Sequence, residues 1–394
     1  MMKVLFLNSI GAETWGGGEK WMLAAAEGLR RRGHQVWVSG RRGSAFLERC
    51  GERGFTALPL AIRGDFNFWV AARLRRFFAA QGIEVVVANF NRDVRLTALA
   101  RACRRRPLVV ARNGLPILPN NWRYRLTYRT MVAGIVTNTE AIRRRYLAYG
   151  WLPEDFVRVI PNGIDPQARS GEPPAAGSPG SAAGPLKQGA PGGAARDLAE
   201  LRGRYGIPSG RPVVGIIGRL VRQKRHDLFL EVGRRLAATH PDVLLLVVGD
   251  GPEQAAVERR AAELGLTSSL RLAGFQRDVF PFLECCDVVT LTSEDEGLPN
   301  AVMEAMLAAR PVVAFDVGGV AELLGADSGA IVPFGDVEVM ADRVRQLLDD
   351  PVRARDLGRR ARERVLREFT IDAMVARFES CLEELLRARA ESLS

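Results

Sequence analysis

Short unbroken runs of Val, Ile and Leu recur along this chain with helical patterns between them, and that alternation narrows the fold more than any other feature. In the first part the runs fall at residues 4–7, 36–39, 85–88, 108–111, 135–137 and 157–160. Segments of helical spacing, such as 19–32 and 140–149, lie between most of them. A strand that reads as one continuous apolar run is buried on both faces, which requires a parallel sheet covered by helices. Alternation of strand and helix is the pattern of doubly wound α/β folds. After Pro161-Asn162-Gly163-Ile164-Asp165 the pattern stops, and residues 168–195 are almost entirely Ala, Gly, Pro and Ser. Such a segment cannot bury a core. The alternation then resumes, with runs at 213–217, 243–248, 270–272, 288–291, 311–315 and 330–332 and helical segments at 225–239, 253–264, 299–309 and 337–348.

The expected organisation is therefore two Rossmann-like doubly wound domains, over 1–165 and 206–370, facing each other across a cleft. An Ala/Gly/Pro-rich linker or insertion over 166–205 separates them, and an amphipathic helix over 371–394 is expected to return to the first domain. A chain of 394 residues is too long for one ordinary core, which agrees with two domains. No run of about eighteen apolar residues occurs, so no membrane span is expected. The opening MMKVLFLNSIGAETW reads as a first buried strand and not as a signal peptide. Five cysteines without a CxxC pair are expected to be free thiols, and with three histidines and no clustered Cys no zinc site is expected. A net charge of +11 favours anionic partners.

In folds of this kind ligands bind beyond the C-terminal strand ends, on the turns into the helices. Five such turns stand out. Gly16-Gly17-Gly18-Glu19 lies between the first strand and first helix, where glycines bring backbone N–H groups close to an anion at a helix N-terminus. A tight turn without a ligand would read the same way, and no GK[ST] follows to make it a P-loop. Gly218-Arg219-Leu220-Val221-Arg222-Gln223-Lys224 follows the first strand of the second half and carries an Arg fork and a Lys able to reach a diphosphate. Gly249-Asp250-Gly251-Pro252 is the third turn, and turn chemistry alone explains it equally well. The fourth, Glu296-Gly297-Leu298-Pro299-Asn300 with Glu304 eight residues after Glu296, is the most informative. Pro299 marks a helix start, so Glu296 falls in the loop and Glu304 in the second helical turn, with N–H groups from Gly297 to Asn300 offered to a phosphate. Gly318-Gly319 is the fifth turn, read equally as a plain turn or a contact.

With these motifs in place the sequence resembles the retaining glycosyltransferases of family 4, which have the GT-B architecture. The resemblance is carried by Gly16-Gly17-Gly18-Glu19, Asn138-Thr139-Glu140-Ala141-Ile142, Pro161-Asn162-Gly163-Ile164-Asp165, Gly218-Arg219-Leu220 with Lys224, Gly249-Asp250-Gly251-Pro252, and Glu296-x7-Glu304. It implies a hexosyltransferase-type enzyme, with an N-terminal acceptor domain, a C-terminal domain for the UDP-, GDP- or ADP-sugar donor, and neither cofactor nor metal. It implies that Arg219 and Lys224 bind the diphosphate and stabilise the leaving nucleotide, that Glu296 holds sugar hydroxyls and that Glu304 holds the ribose. Gly297 and Leu298 would touch the β-phosphate, with Gly218, Gly249, Pro299 and Asn300 around it, while Gly16, Gly17 and Gly18 close from the other domain and Phe275 lies near the base. Two departures are visible. Many members carry a His on the N-terminal domain near the reacting sugar, where this chain reads Val110-Ala111-Arg112-Asn113-Gly114, so Arg112 and Asn113 become candidates for the acceptor side. Ala309 stands where the family often has Gly, which should affect packing only.

The acceptor is expected to be a saccharide or a lipid-linked saccharide of cell-surface polysaccharide, lipopolysaccharide or glycolipid synthesis. Segments 115–129 and 63–78 are the candidate acceptor surfaces. In the second, Phe66, Val70, Leu74, Phe77 and Phe78 repeat at helical spacing beside Arg73, Arg75 and Arg76. The stripe is read either as core-facing or as a peripheral contact with an anionic membrane, which would place a cytoplasmic protein on the inner membrane face. Rival readings are another nucleotide-sugar enzyme of this fold, such as an epimerase, and a non-enzymatic basic scaffold or nucleic-acid binder. The Arg clusters at 30–32, 104–106 and 143–145 lie on separate elements, so no nucleic acid is expected.

Overall fold

The computed structural model describes residues 1–11, 16–62, 67–101, 107–167 and 193–391. The chain divides into two compact units, Met1–Gly163 with Phe369–Ser394, and Ile164–Glu368. Of the expected linker over 166–205, residues 168–192 lie outside the described residues.

Unit 1 holds strands β1 (Lys3–Asn8), β2 (Gln35–Arg41), β3 (Ala57–Leu60), β4 (Val85–Ala88), β5 (Leu108–Asn113), β6 (Gly134–Thr137) and β7 (Val157–Val159). Its helices are α1 (Gly17–Arg31), α2 (Ala45–Glu52), α3 (Phe68–Gln81), α4 (Asn91–Arg101), α5 (Trp122–Met131) and α6 (Glu140–Leu147). The strands pair in parallel in the order β3-β2-β1-β4-β5-β6-β7. One face of the sheet packs on α1 and α2, through Trp21, Met22, Leu29 and Phe46. The other carries two clusters, one built on Val70, Leu74 and Phe78 and one on Tyr128, Ile142 and Tyr146. The helix signals are local: Ser44, Asn67, Asn121 and Thr139 each accept a first-turn backbone N–H, as N-cap side chains do.

Unit 2 opens with α7 (Gly193–Arg204), so the stretch read as linker over 166–205 ends in a helix. Then come β8 (Val213–Ile217), α8 (His226–Ala237), β9 (Leu244–Val248), α9 (Gln254–Glu263), β10 (Leu270–Leu272), α10 (Phe280–Cys285), β11 (Val288–Leu291), α11 (Asn300–Leu307), β12 (Val312–Phe315), α12 (Val320–Leu324), β13 (Ala330–Val332), α13 (Val337–Asp349) and α14 (Pro351–Glu368). The sheet is again parallel, in the order β10-β9-β8-β11-β12-β13. A last helix, α15 (Ile371–Glu391), belongs to unit 1 and packs on α1.

Two open points are decided by the fold. The stripe on α3 takes the core-facing alternative: Val70, Leu74 and Phe78 are buried, Phe77 is half-buried, and Arg73, Arg75 and Arg76 are exposed with Phe68 and Trp69 of the first turn, while Phe66 lies outside the described residues. Ala309 does more than pack. It sits at φ 54° as the residue after the C-cap of α11, with Arg310 N–H donating to Ala305 O at 2.9 Å and Ala309 N–H to Met306 O at 2.9 Å. That is a Schellman ending, in which Gly is preferred because a Cβ in the left-handed region costs about 1 kcal/mol.

Candidate functional site

Strand order reverses between β8 and β11 in unit 2 and between β1 and β4 in unit 1. At such a switch point the flanking turns diverge and leave a crevice at the C-terminal strand ends.

In unit 2 the turn after β8 runs through Gly218 and Arg219 into a 3-10 turn, Arg222–Lys224. Arg219 is exposed. Lys224 reaches across the switch point, and its Nζ lies 2.5 Å from Glu296 Oε1 on the turn after β11. The two side chains are 21% and 10% exposed, so the pair is shielded yet open to a ligand. Glu294 N–H donates to Gln223 O at 2.9 Å, Gln223 Nε2 to Asp295 O at 2.5 Å, and Thr292 Oγ1 to Lys224 O at 3.0 Å. These bonds tie the two turns into one piece.

Behind Glu296 stands Gly318 at φ 54°, where a Cβ would fall 1.7 Å from Glu296 O. Only Gly can occupy that position without moving the loop. Gly319 N–H adds a bond to Gly297 O at 2.9 Å. The Gly318-Gly319 pair is thus a brace for the Glu296 loop, a role that its sequence alone left open between plain turn and contact. Leu298 is buried, Pro299 caps α11, Asn300 begins it, and Glu304 lies in its second turn. Gly249 N–H donates to Gly274 O at 2.8 Å, and a Cβ on Gly249 would meet Gly218 O at 2.0 Å, so two turns close on each other there. Phe275 follows Gly274 and is 63% exposed. His226, the first residue of α8, is buried, and neither ring nitrogen has a hydrogen-bond partner. Burial, with Lys224 nearby, pulls its pKa down to about 4.

In unit 1 the glycine turn at Gly16, Gly17 and Gly18 opens α1, and Glu19 is the buried residue that organises it. Glu19 Oε2 accepts from Gly16 N–H at 3.0 Å, while Oε1 accepts from Asn8 Nδ2 at 3.2 Å and Asn89 Nδ2 at 3.4 Å. Asn8 ends β1 and Asn89 follows β4, so the carboxylate spans this switch point as Glu296 does the other. Arg112, near the end of β5, is buried with its guanidinium 5.0 Å from the centre of the Trp21 ring. Burial lowers its pKa to about 10, and Glu19 acts against that shift. Asn113 is turned away, with its Nδ2 donating to Tyr146 Oη at 3.1 Å. Asp93 is also buried here, accepting from Ser9 N–H at 3.2 Å and Phe90 N–H at 3.1 Å, and burial raises its pKa to about 7. Sequence reasoning missed Asn8, Asn89 and Trp21, because nothing local marks them as converging on Glu19 and Arg112.

Among the described residues no group of three His, Cys, Asp or Glu side chains is placed to hold a metal ion, and no helix is long and apolar enough to cross a membrane. Cys50, Cys285, Cys286 and Cys381 are buried free thiols.

Two parallel-sheet α/β units of this kind define a GT-B fold, and solved structures share it. Anabaena HepE, crystallised with UDP-glucose, superposes with a TM-score of 0.78 at 20% identity over 98% of this chain and 100% of that one. The sequence model for glycosyl transferases group 1 matches residues 197–364, and that for glycosyltransferase family 4 matches residues 15–168. The chain belongs to this glycosyltransferase family. It is 30% identical over 243 residues to the 2-deoxystreptamine glucosyltransferase of Streptomyces kanamyceticus, a match spanning 61% of this chain and 57% of that protein. It is 27% identical over 340 residues to the GDP-mannose-dependent alpha-(1-6)-phosphatidylinositol monomannoside mannosyltransferase of Mycolicibacterium smegmatis, covering 82% of this chain and 81% of that one. The matches to the first curated relatives span between half and two thirds of those proteins' lengths.

Proposed function

We propose that this protein is a retaining, metal-independent glycosyltransferase that takes its sugar from a nucleoside diphosphate sugar held on unit 2. The observation that carries this is the Lys224–Glu296 pair braced at the switch point of the second sheet. A donor diphosphate entering there competes with Glu296 for the Lys224 ammonium. Lys224 and Arg219 then meet the phosphates, and Glu296 is released to accept hydrogen bonds from the sugar hydroxyls. Two cations fixed on rigid turns stabilise the negative charge that grows on the leaving nucleotide, with no metal needed. The bond from the anomeric carbon to phosphate oxygen breaks, and a bond to the acceptor oxygen forms on the same face. The acceptor proton passes to the departing phosphate.

Gly218, Gly249, Gly297, Leu298, Pro299 and Asn300 line the phosphate end in this reading, Glu304 takes the ribose, and Phe275 offers its exposed ring to the base. Gly16, Gly17 and Gly18 contribute from unit 1, and Arg112 serves the acceptor side. HepE was crystallised with UDP-glucose and the Mycolicibacterium relative is GDP-mannose-dependent, so both bases enter the test. Thermal shift against UDP-, GDP- and ADP-sugars should show one base stabilising the protein, with the shift lost in Lys224→Ala. No shift with any of the three would sink the reading.

The acceptor is a saccharide or a lipid-linked saccharide. Trp69, 88% exposed beside Arg73, Arg75 and Arg76, supports a peripheral contact with anionic membrane. Flotation with anionic liposomes at low salt should carry the protein upward, and Trp69→Ser should leave it at the bottom.

A further inference from the structure

Residues 114–121, Gly-Leu-Pro-Ile-Leu-Pro-Asn-Asn, leave the C-terminal end of β5 as a loop without a charged side chain. Backbone groups outside helix and sheet need partners of another kind, and here side chains of other elements supply them. Tyr146 Oη accepts from Leu118 N–H at 3.2 Å and donates to Leu115 O at 3.3 Å. Tyr149 Oη donates to Leu118 O at 2.7 Å, Asn91 Nδ2 to Ile117 O at 3.1 Å, and Trp151 Nε1 to Asn120 Oδ1 at 2.9 Å. Pro116 and Pro119 fix two of the loop's φ angles. The loop is therefore pinned from α4, α6 and the segment after α6.

The helix that this loop launches is treated in the opposite way. Asn121 caps α5 by accepting from Tyr124 N–H at 3.2 Å, yet of the 10 residues in the helix Tyr128 alone is buried. Trp122 and Leu126, four residues apart and so on one face, are 71% and 58% exposed. Arg125 and Arg129 fall on the same stripe by helical spacing, and the Arg123 guanidinium lies 5.5 Å from the centre of the Trp122 ring. These arginines are exposed, and α5 has no carboxylate. Leu115 adds exposed apolar surface from the loop.

Such a face selects its ligand by chemistry. A neutral sugar is held by carboxylates and amides that take its hydroxyl protons, and α5 presents neither. Arginine forks fit phosphate oxygens, while an exposed tryptophan and leucine side by side fit hydrocarbon. The loop starts directly after Arg112 and Asn113, at the strand ends where ligands of α/β folds bind. A loop ordered beforehand also loses less entropy when its ligand arrives.

We propose that α5 and the loop before it hold the phosphate and the adjoining hydrocarbon of a lipid-linked acceptor. Arg125 and Arg129 take the phosphate oxygens, and Trp122, Leu126 and Leu115 cover the first methylenes of the chain. Its role as an acceptor site rests on the transferase reading, whereas the amphiphile-binding face belongs to unit 1 alone.

The test titrates the full chain calorimetrically with octyl phosphate, octyl glucoside and methyl phosphate, the two octyl probes below their micelle concentrations. Octyl phosphate should bind about tenfold tighter than either probe that carries one half of its chemistry. Trp122→Ser and the double variant Arg125→Gln/Arg129→Gln should each weaken octyl phosphate about tenfold at unchanged melting temperature, since these side chains are exposed. Tyr149→Phe keeps every contacting side chain and removes one bond to the loop, so several-fold weaker binding is expected. Octyl phosphate affinity that survives both surface changes, or that octyl glucoside equals, overturns the proposal. So does a protein that ignores monomeric octyl phosphate but floats with anionic liposomes through Trp122, an outcome that assigns α5 to the bilayer surface. Nucleotide-sugar binding without octyl phosphate binding sinks this proposal alone, and octyl phosphate binding without any nucleotide-sugar binding sinks the transferase reading while the face stands.

Discussion

The two sheets reverse strand order in the same way and place a carboxylate at the reversal, but they treat it differently. In unit 2 Glu296 is met by the Lys224 ammonium from the turn across the switch point. In unit 1 Glu19 is met by two neutral amides and a backbone N–H, and the cation Arg112 arrives from β5. One site is neutralised internally at rest and opens by exchanging partners. The other uses its carboxylate as a structural peg, with the buried Arg112 guanidinium against the Trp21 ring. Shared topology sets where a charged group can stand, while the immediate partner decides whether it holds the fold or waits for a ligand.

The comparison breaks first on activity. Lys224→Ala and Glu296→Gln should each cut transfer by about 100- to 1000-fold, as loss of a charge-stabilising group does, with circular dichroism unchanged. Glu19→Gln should instead act mainly on stability. If steady-state rates fell equally in all three variants, the distinction between working carboxylate and structural peg would be lost.

Next comes pH. Asp93 of unit 1 ordinarily titrates near 3.8, and burial raises it to about 7. The folded state therefore keeps a proton that the unfolded chain gives up, and stability falls as pH rises through that window, by at most about 1.4 kcal/mol per pH unit. His226 of unit 2 ordinarily titrates near 6.5 and is pulled down to about 4. Here the unfolded chain binds the extra proton, and stability falls as pH drops through that window. In Asp93→Asn the fall of the denaturant midpoint between pH 4 and pH 7 should flatten, and in His226→Leu the fall between pH 6.5 and pH 4 should flatten. Interchanged effects would refute both assignments.

Smaller effects sharpen the picture. Glu19→Gln places an amide donor against one of its three donors, so roughly 1–2 kcal/mol of stability should go, read as a lower melting temperature. Ala309→Gly relieves the left-handed backbone after α11, away from either charged site, and should stabilise by about 1 kcal/mol with activity intact. A destabilised Ala309→Gly would mean that the methyl contributes more packing than its backbone strain costs.

How much was legible follows from how local each signal is. The unit 2 turns announce themselves because glycine, proline and charge fall within a few residues at strand ends. The parallel sheets show as unbroken apolar runs. Strand β3, Ala-Leu-Pro-Leu, is too short and proline-broken to stand out. Helix α14 hides because ten of its eighteen residues are charged and its buried positions are the small Ala354, Gly358 and Ala361 with Val365. Arg112 was legible as a departure from the family's His, but its surroundings were not. Gly18, Glu19 and Trp21 come to it from α1, and only folding brings them together.

Helix α15 has a consequence for the order in which the molecule is made. Its Met374, Val375, Phe378, Cys381 and Leu382 complete the core over α1. Phe378 packs edge-on to Trp21 at 5.0 Å, and Val375 fills the notch left by Gly28, where a Cβ would fall 2.3 Å from it. During synthesis the ribosome delivers the residues of unit 2 before that helix appears. The first unit to begin is therefore the last to be finished, and until α15 emerges the nascent chain carries an open apolar face over α1. A stop codon after residue 368 would spare every residue of unit 2 and leave the earlier-made unit incomplete.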